Sequence, residues 1–171
     1  MGGVGVALVL AVSACGGPGQ TAEPSEPVDS STATSEEPAS VLAGVDPCQL
    51  LTDGEARELG LEAPGQRRDI SKTLSCRFRV AGDGPGQLAV SASPDRALDE
   101  LNFSGGDVQD TEVAGKKAKI VRGATADICT VAIAVSPTES VSADGNIGGD
   151  VEAGCRLAEQ AAPLVLANLS K

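Results

Sequence analysis

Whatever chemistry this chain of 171 residues performs must come from five cysteines, a few short polar clusters and no histidine. The missing histidine removes the commonest general base and the commonest metal ligand together. Serines are plentiful, yet none stands in G-x-S-x-G or S-x-x-K, and without histidine a serine nucleophile would need a lysine base. In Asp144-Gly145-Asn146-Ile147-Gly148-Gly149-Asp150, three residues fit a calcium loop: Asp144, Asn146 and Gly149, at positions 1, 3 and 6. Position 5 would be Gly148, and position 12, which needs a bidentate glutamate, is Cys155. A glycine-rich turn with Asp150 capping the next helix is therefore expected, and no metal.

Lys116-Lys117-Ala118-Lys119, with Arg122 beyond, is the densest basic run. On a strand, Lys117 and Lys119 share one face, while Lys116, Ile120 and Arg122 share the other. The run is a candidate anion site for a lipid headgroup or a wall polymer. The plainer expectation is that its lysines guard a sheet edge against pairing with other chains. Gly82-x-Gly84-x-Gly86 is glycine-rich enough to suggest a phosphate cradle, but a cradle needs a helix directly after it. This one lies between two strand patterns and is expected to be a hairpin turn. No catalytic residue and no cofactor emerges.

The cysteines divide into one and four. Residues 4–14 form an uncharged apolar stretch, too short for the roughly 20 residues that span a bilayer and right for a signal-peptide core. It ends in Val12-Ser13-Ala14-Cys15, which resembles the lipobox of bacterial lipoprotein signal peptides. That resemblance implies that 1–14 is removed and that Cys15 is lipidated, tying the chain to the extracytoplasmic side of the cell membrane. The first basic residue is Arg57, so the basic n-region of such a leader is expected upstream of Met1. Cys48, Cys76, Cys129 and Cys155 remain. In an exported chain an even number reads as two disulfides, for which four cysteines allow three pairings. The sequential pairing, Cys48 to Cys76 and Cys129 to Cys155, would staple each terminal helix to a strand and is the expected one. Zinc is disfavoured, because the chain has no C-x-x-C and no histidine.

Between Cys15 and Gly44 the composition turns to Gly, Pro, Ser, Thr, Ala and Glu. Glu23, Glu26, Asp29, Glu36 and Glu37 face no base in this stretch, which therefore reads as a disordered tether. Such a chain reaches on the order of 30 Å. Residues 45–171 remain for one domain with one core. The whole chain holds 24 acids and 13 bases, a net charge of -11, and such an acidic surface is a poor partner for nucleic acid. With two Phe, no Tyr and no Trp, neither bases nor sugar rings find a stacking platform.

Within the domain, Asp46-Pro47 suits a capped helical turn. Thr52 to Glu55 fits a capping box opening a short helix that carries Ala56 and Leu59 and stops at Gly60. Leu74 to Val80 and Gln87 to Ser93 alternate as strands. Ser93-Pro94-Asp95 suits the cap of a short helix with Ala97, Leu98 and Leu101. Strands are expected near 111–114, 117–122, 128–135 and 139–143. From Asp150 the pattern is helical, with Val151, Cys155, Ala158, Ala162, Val165 and Leu169 on one stripe and Pro163 expected to kink or split it. The fold class expected is α+β, an antiparallel sheet with helices packed on it.

Asp46-Pro47-Cys48-Gln49-Leu50-Leu51-Thr52, Gly60-Leu61, Cys76-Arg77-Phe78 and Gly154-Cys155-Arg156-Leu157-Ala158-Glu159 together resemble an actinobacterial family of exported lipoproteins. It is catalogued as domain of unknown function 3558, and the resemblance covers about 45–169. The second motif of that family usually ends in Trp, where this chain has Phe78. The resemblance implies a lipoprotein of the cell envelope and supplies no activity, catalytic residue or ligand. Two classes of function are expected from the whole reading. The favoured one is a non-catalytic binding module for an envelope protein, wall polymer or lipid. The alternative is a hydrolase working with carboxylates alone, as glycosidases do.

Overall fold

A computed structural model describes residues 39–70, 73–123, 125 and 127–170. The expected leader, Cys15 and the tether as far as residue 38 lie outside the described residues. Local signals set the entry to the domain. The Asp46 carboxylate accepts a hydrogen bond from the Cys48 amide at 3.0 Å, and Pro47 opens a single 3-10 turn, Pro47–Gln49. Thr52 and Glu55 form the reciprocal capping box at the start of α1, Asp53–Glu58. Gly60 follows with φ 74°, a left-handed value that glycine takes without steric cost.

Seven strands follow: β1 (Gln66–Ile70), β2 (Thr73–Arg79), β3 (Gln87–Ser93), β4 (Asp107–Val113), β5 (Lys116–Arg122), β6 (Cys129–Ser136) and β7 (Glu139–Asn146). They form one sheet in the order β1-β2-β3-β7-β6-β5-β4, every neighbour antiparallel. Consecutive hairpins build β1-β2-β3 and β4-β5-β6-β7, and β7 docks beside β3 to join the two. The link from β3 to β4 must therefore cross β7, β6 and β5 to reach the far edge. The C-terminal helix α2 (Val151–Asn168), with Asp150 as its cap, packs on β7 and β6.

The period of two decides the core. Cys76 and Phe78 of β2, Leu88 and Val90 of β3, Val141 and Ala143 of β7 and Val131 and Ile133 of β6 all point to the helical side, where they are buried. Leu157, Ala158, Ala161, Ala162 and Val165 of α2 meet them, with Leu42, Leu50, Leu51 and Ala56 from the N-terminal segment. Phe78 is the largest side chain in this core, as the shortage of aromatics requires. Asn168 near the end of α2 donates to the Leu50 carbonyl at 3.2 Å and ties the two covers together. Disulfides Cys48–Cys76 and Cys129–Cys155 staple the first turn to β2 and β6 to α2. Their sequence separations of 28 and 26 correspond to roughly 3–4 kcal/mol each by loop closure.

Several expectations are corrected. The fold is richer in sheet than the α+β reading implied: α2 is the one long helix described, and α1 has six residues. The expected helix after Ser93 is a single 3-10 turn, Leu98–Glu100, capped at Ala97, whose amide donates to Glu100 Oε2 at 2.9 Å. Strand β1 was missed, because Gln66-Arg67-Arg68-Asp69 shows no hydrophobic alternation; it is an outer strand with nothing apolar to signal it. Asp144 and Asn146 belong to β7 rather than to a turn. Pro163 does not split α2, which runs continuously over eighteen residues. Lys116 to Arg122 is not an edge strand, since β4 lies outside it.

The domain also begins earlier than residue 45. Leu42 is 2 % exposed and part of the core. Its amide and that of Val41 each donate to the Glu139 carboxylate at 3.0 Å, and the Ser40 hydroxyl donates to the same group. Residues 40–42 are thus a latch of the domain, with Glu139 as its catch.

Candidate binding groove

The second face of the sheet is built from the other half of each alternation. Thr73 and Ser75 of β2, Gln87, Ala89 and Ser91 of β3, Ser142, Asp144 and Asn146 of β7 and Thr130 of β6 lie on it, all small or polar. The β3–β4 crossover partly covers this face. It is pinned where the Ser140 hydroxyl donates to the Arg96 carbonyl at 2.8 Å and where Leu98 is buried. Short floor residues and a crossover held above them leave an open groove of about 470 Å³. Leu101, Phe103 and Ile128 supply its apolar wall. The chain's second phenylalanine is therefore at the groove, half-buried, while the first is in the core.

Asp144 is the acid of this groove. Thr130 donates to its Oδ1 at 2.6 Å and Ser142 to its Oδ2 at 3.1 Å. Burial pushes its carboxyl above the ordinary aspartate value, against the two hydroxyls that favour the charged form. No base forms an ion pair with it among the described residues. A carboxyl so placed accepts hydrogen bonds from an occupant or takes a cation, and it is the group in the groove most able to fix orientation. No other Asp or Glu lines the groove.

The basic run is placed differently from a single patch. Lys117 and Lys119 share the groove-side face, and Arg122 is on the helical face. Lys119 Nζ lies 2.8 Å from Asp110 and 3.3 Å from Asp99, and these carboxylates hold its ammonium above its usual pKa. Asp110 is correspondingly lowered by its hydrogen bond from Lys119. Arg122 pairs with Glu152 at 3.9 Å and Glu159 at 3.8 Å. Lys116 and Lys117 are exposed, Lys117 directly across from Glu112. Within the run, Lys119 and Arg122 are thus held in ion pairs, while Lys116 and Lys117 face solvent.

The calcium-loop residues are also engaged elsewhere. Asn146 Oδ1 accepts from the Gly148 amide at 3.2 Å, and Asp150 accepts from Ala153 at 2.9 Å as the expected cap. Among the described residues no three of His, Cys, Asp and Glu gather as metal ligands. Sequence reasoning missed the groove because its floor is a set of ordinary serines and threonines that only the strand register brings together. The alternation in β2 and β3 was the available signal.

The fold and groove together define a disulfide-stapled antiparallel-sheet domain with one covered and one open face. A family model described as "Protein of unknown function (DUF3558)" matches residues 10–168, and the chain belongs to that family. No curated protein and no solved structure matches it.

Proposed function

We propose that this protein is a lipid-anchored binding module on the extracytoplasmic side of the cell membrane, holding an envelope ligand in the groove over Asp144. The observation that carries the reading is the groove itself: an open, small-residue floor with one ion-pair-free carboxyl and an aliphatic–aromatic wall. Such a site offers orientation and contact rather than paired proton transfer. A carboxylate hydrolase needs a second acid at about 5–10 Å, and Asp144 has none among the lining residues. Val12-Ser13-Ala14-Cys15 supports the anchor, and the family match, starting at residue 10, includes it. No helix among the described residues is long and apolar enough to cross a membrane.

Site-specific cross-linking in living cells tests the reading. A photo-reactive residue at Asn102, on the groove rim, should give a discrete adduct that Asp144→Arg abolishes by filling the floor. The same residue at exposed Gln160 on α2 should not give it. Identical adducts from both positions, unaffected by Asp144→Arg, would refute a groove-bound occupant.

A further inference from the structure

Three arginines on β1 and β2 stand apart from the ion pairs that hold Arg67, Lys119 and Arg122. Arg77 and Arg79 alternate with Cys76 and Phe78 on β2 and so point to the groove-side face. Register places Gln66 across from Arg77 and Arg68 across from Ser75, which brings Arg68 to the same face, diagonal to Arg77. Diagonal and i,i+2 neighbours on one face lie about 7 Å apart, within reach of side chains as long as arginine. None of the three forms an ion pair among the described residues, although the chain carries 24 acids. By contrast Arg67, on the opposite face of the same strand, is paired with Asp46 at 3.3 Å.

Arg77 is the centre of this cluster. The one side-chain hydrogen bond it makes among the described residues runs from Nη1 to Gln87 Oε1 at 3.4 Å, and its Nε is buried with no partner. It borders an open cavity of about 410 Å³, shared with Arg79, Gln87, Glu62, Asp83 and the 82–86 hairpin. Neither carboxylate of that cavity is in ion-pair contact with a guanidinium. Like charges side by side on a sheet repel, and a guanidinium holding unspent donors in a half-buried place is costly; a bound anion would relieve both.

From this we infer that Arg68, Arg77 and Arg79, with Gln87, form an anion site that takes a phosphate group. The planar fork of arginine presents paired N–H donors matched to phosphate oxygens; Arg77 and Arg79 border the cavity, and Arg68 adds positive charge on the neighbouring strand. The phosphate can come from a free phosphate ester or from a phospholipid headgroup, since the recognised chemistry is the same. This site adjoins the groove over Asp144 and shares Gln87 with it, but its arginines do not line that groove.

The test uses the full chain carrying Cys15→Ser with both disulfides intact. Two probes are titrated: glycerol phosphate in solution, and vesicles of phosphatidylglycerol in phosphatidylcholine against phosphatidylcholine alone. The Arg77 Nε–H resonance should shift saturably with one of them, and Arg68→Ala with Arg79→Ala should weaken binding at least tenfold. Both arginines are exposed, so this variant keeps the fold. Lys117→Ala and Asp144→Asn should leave binding unchanged, which separates this site from the groove. Saturation by glycerol phosphate without vesicle preference assigns a soluble ester; vesicle binding that needs phosphatidylglycerol assigns a headgroup. A silent Arg77 resonance with both probes, or undiminished binding in the double variant, overturns the inference.

Discussion

Gly145 of β7 and Gly154 of α2 meet backbone to backbone. A Cβ built on Gly154 would stand 2.7 Å from the Gly145 carbonyl oxygen, and one on Gly145 would stand 2.1 Å from the Gly154 oxygen. Gly145 is also the register partner of Cys129, whose disulfide runs to Cys155, the residue after Gly154. The helix therefore lies as close to the sheet as two chains can, and the staple sits at that closest point.

Gly154→Ala should consequently destabilise, although alanine in an exposed helix interior usually gains about 1 kcal/mol over glycine. Backbone on the opposite side cannot rotate away as a side chain would, so the helix must lift and loosen its packing. A net loss of roughly 2–4 kcal/mol is expected, read by guanidinium denaturation with disulfides intact. A neutral or stabilising result would mean that α2 does not approach β7 so closely.

Glu139 predicts an acid dependence. Burial would raise its pKa, but donors from Ser40, Leu42, Val41 and Ser136 outweigh that and lower it from the ordinary 4.5 to about 2. Because the folded value lies below the unfolded one, its stabilisation is fully present above about pH 4.5 and is lost as pH falls through about 2. At about 1.4 kcal/mol per pH unit, and allowing for screening, roughly 2–3 kcal/mol is at stake. Glu139→Gln should lower stability at pH 7 and flatten the slope of stability against pH between 4.5 and 2. Fraying at Ser40–Leu42, seen as faster amide exchange there, should accompany the loss. An unchanged slope would remove Glu139 as the catch.

What the sequence made legible follows from where each signal lives. The capping box at Thr52, the hairpin at 82–86 and the stripe of α2 are written in adjacent residues or in a fixed period, and all appear in the structure; the sequential disulfides, expected from an even cysteine count and where each cysteine falls, appear too. Strand β1 carries no period, because an edge strand of Arg and Gln has no buried side to alternate with. Leu42 looked like tether because Val41-Leu42 between Ser40 and Ala43-Gly44 is too short to show a period; only Glu139, nearly a hundred residues on, makes it core. The groove is harder still. Asp144, Thr130 and Ser75 come together through the insertion of β7 between β3 and β6, a long-range pairing that no local window contains.

Asp144 should behave oppositely to Glu139. Its folded pKa is raised by burial, so the folded state holds the proton more tightly and stability falls as pH rises above the unfolded value of 3.8. Asp144→Asn keeps a hydrogen-bonding side chain without the charge and is expected to raise stability at pH 7 while weakening whatever occupies the groove. That combination is the mark of a residue kept for binding at some cost to the fold. Thermal melts at pH 7, set beside the Asn102 cross-link yield in the same variant, check it. A variant less stable than the parent at neutral pH would show that the charged form supports the fold instead.

The anchor makes the last prediction. If Cys15 bears the lipid, Cys15→Ala should move the protein from the detergent phase to the aqueous phase in a cloud-point partition. Its melting temperature should stay the same, because the domain begins at the Ser40–Leu42 latch and the anchor lies beyond it. A diacyl anchor contributes about 0.8 kcal/mol per buried methylene, so the change should be close to complete rather than graded. If the residues between Cys15 and Ser40 form the tether expected from their composition, a chain of that length would reach roughly 30 Å, holding the groove in a thin layer over the membrane and raising its effective concentration there. A module of modest intrinsic affinity gains most from such confinement. Deleting part of that stretch while sparing residues 38–42 should therefore reduce in-cell groove cross-linking without changing stability. Retention of the Cys15→Ala protein in the detergent phase would place the membrane attachment elsewhere in the chain.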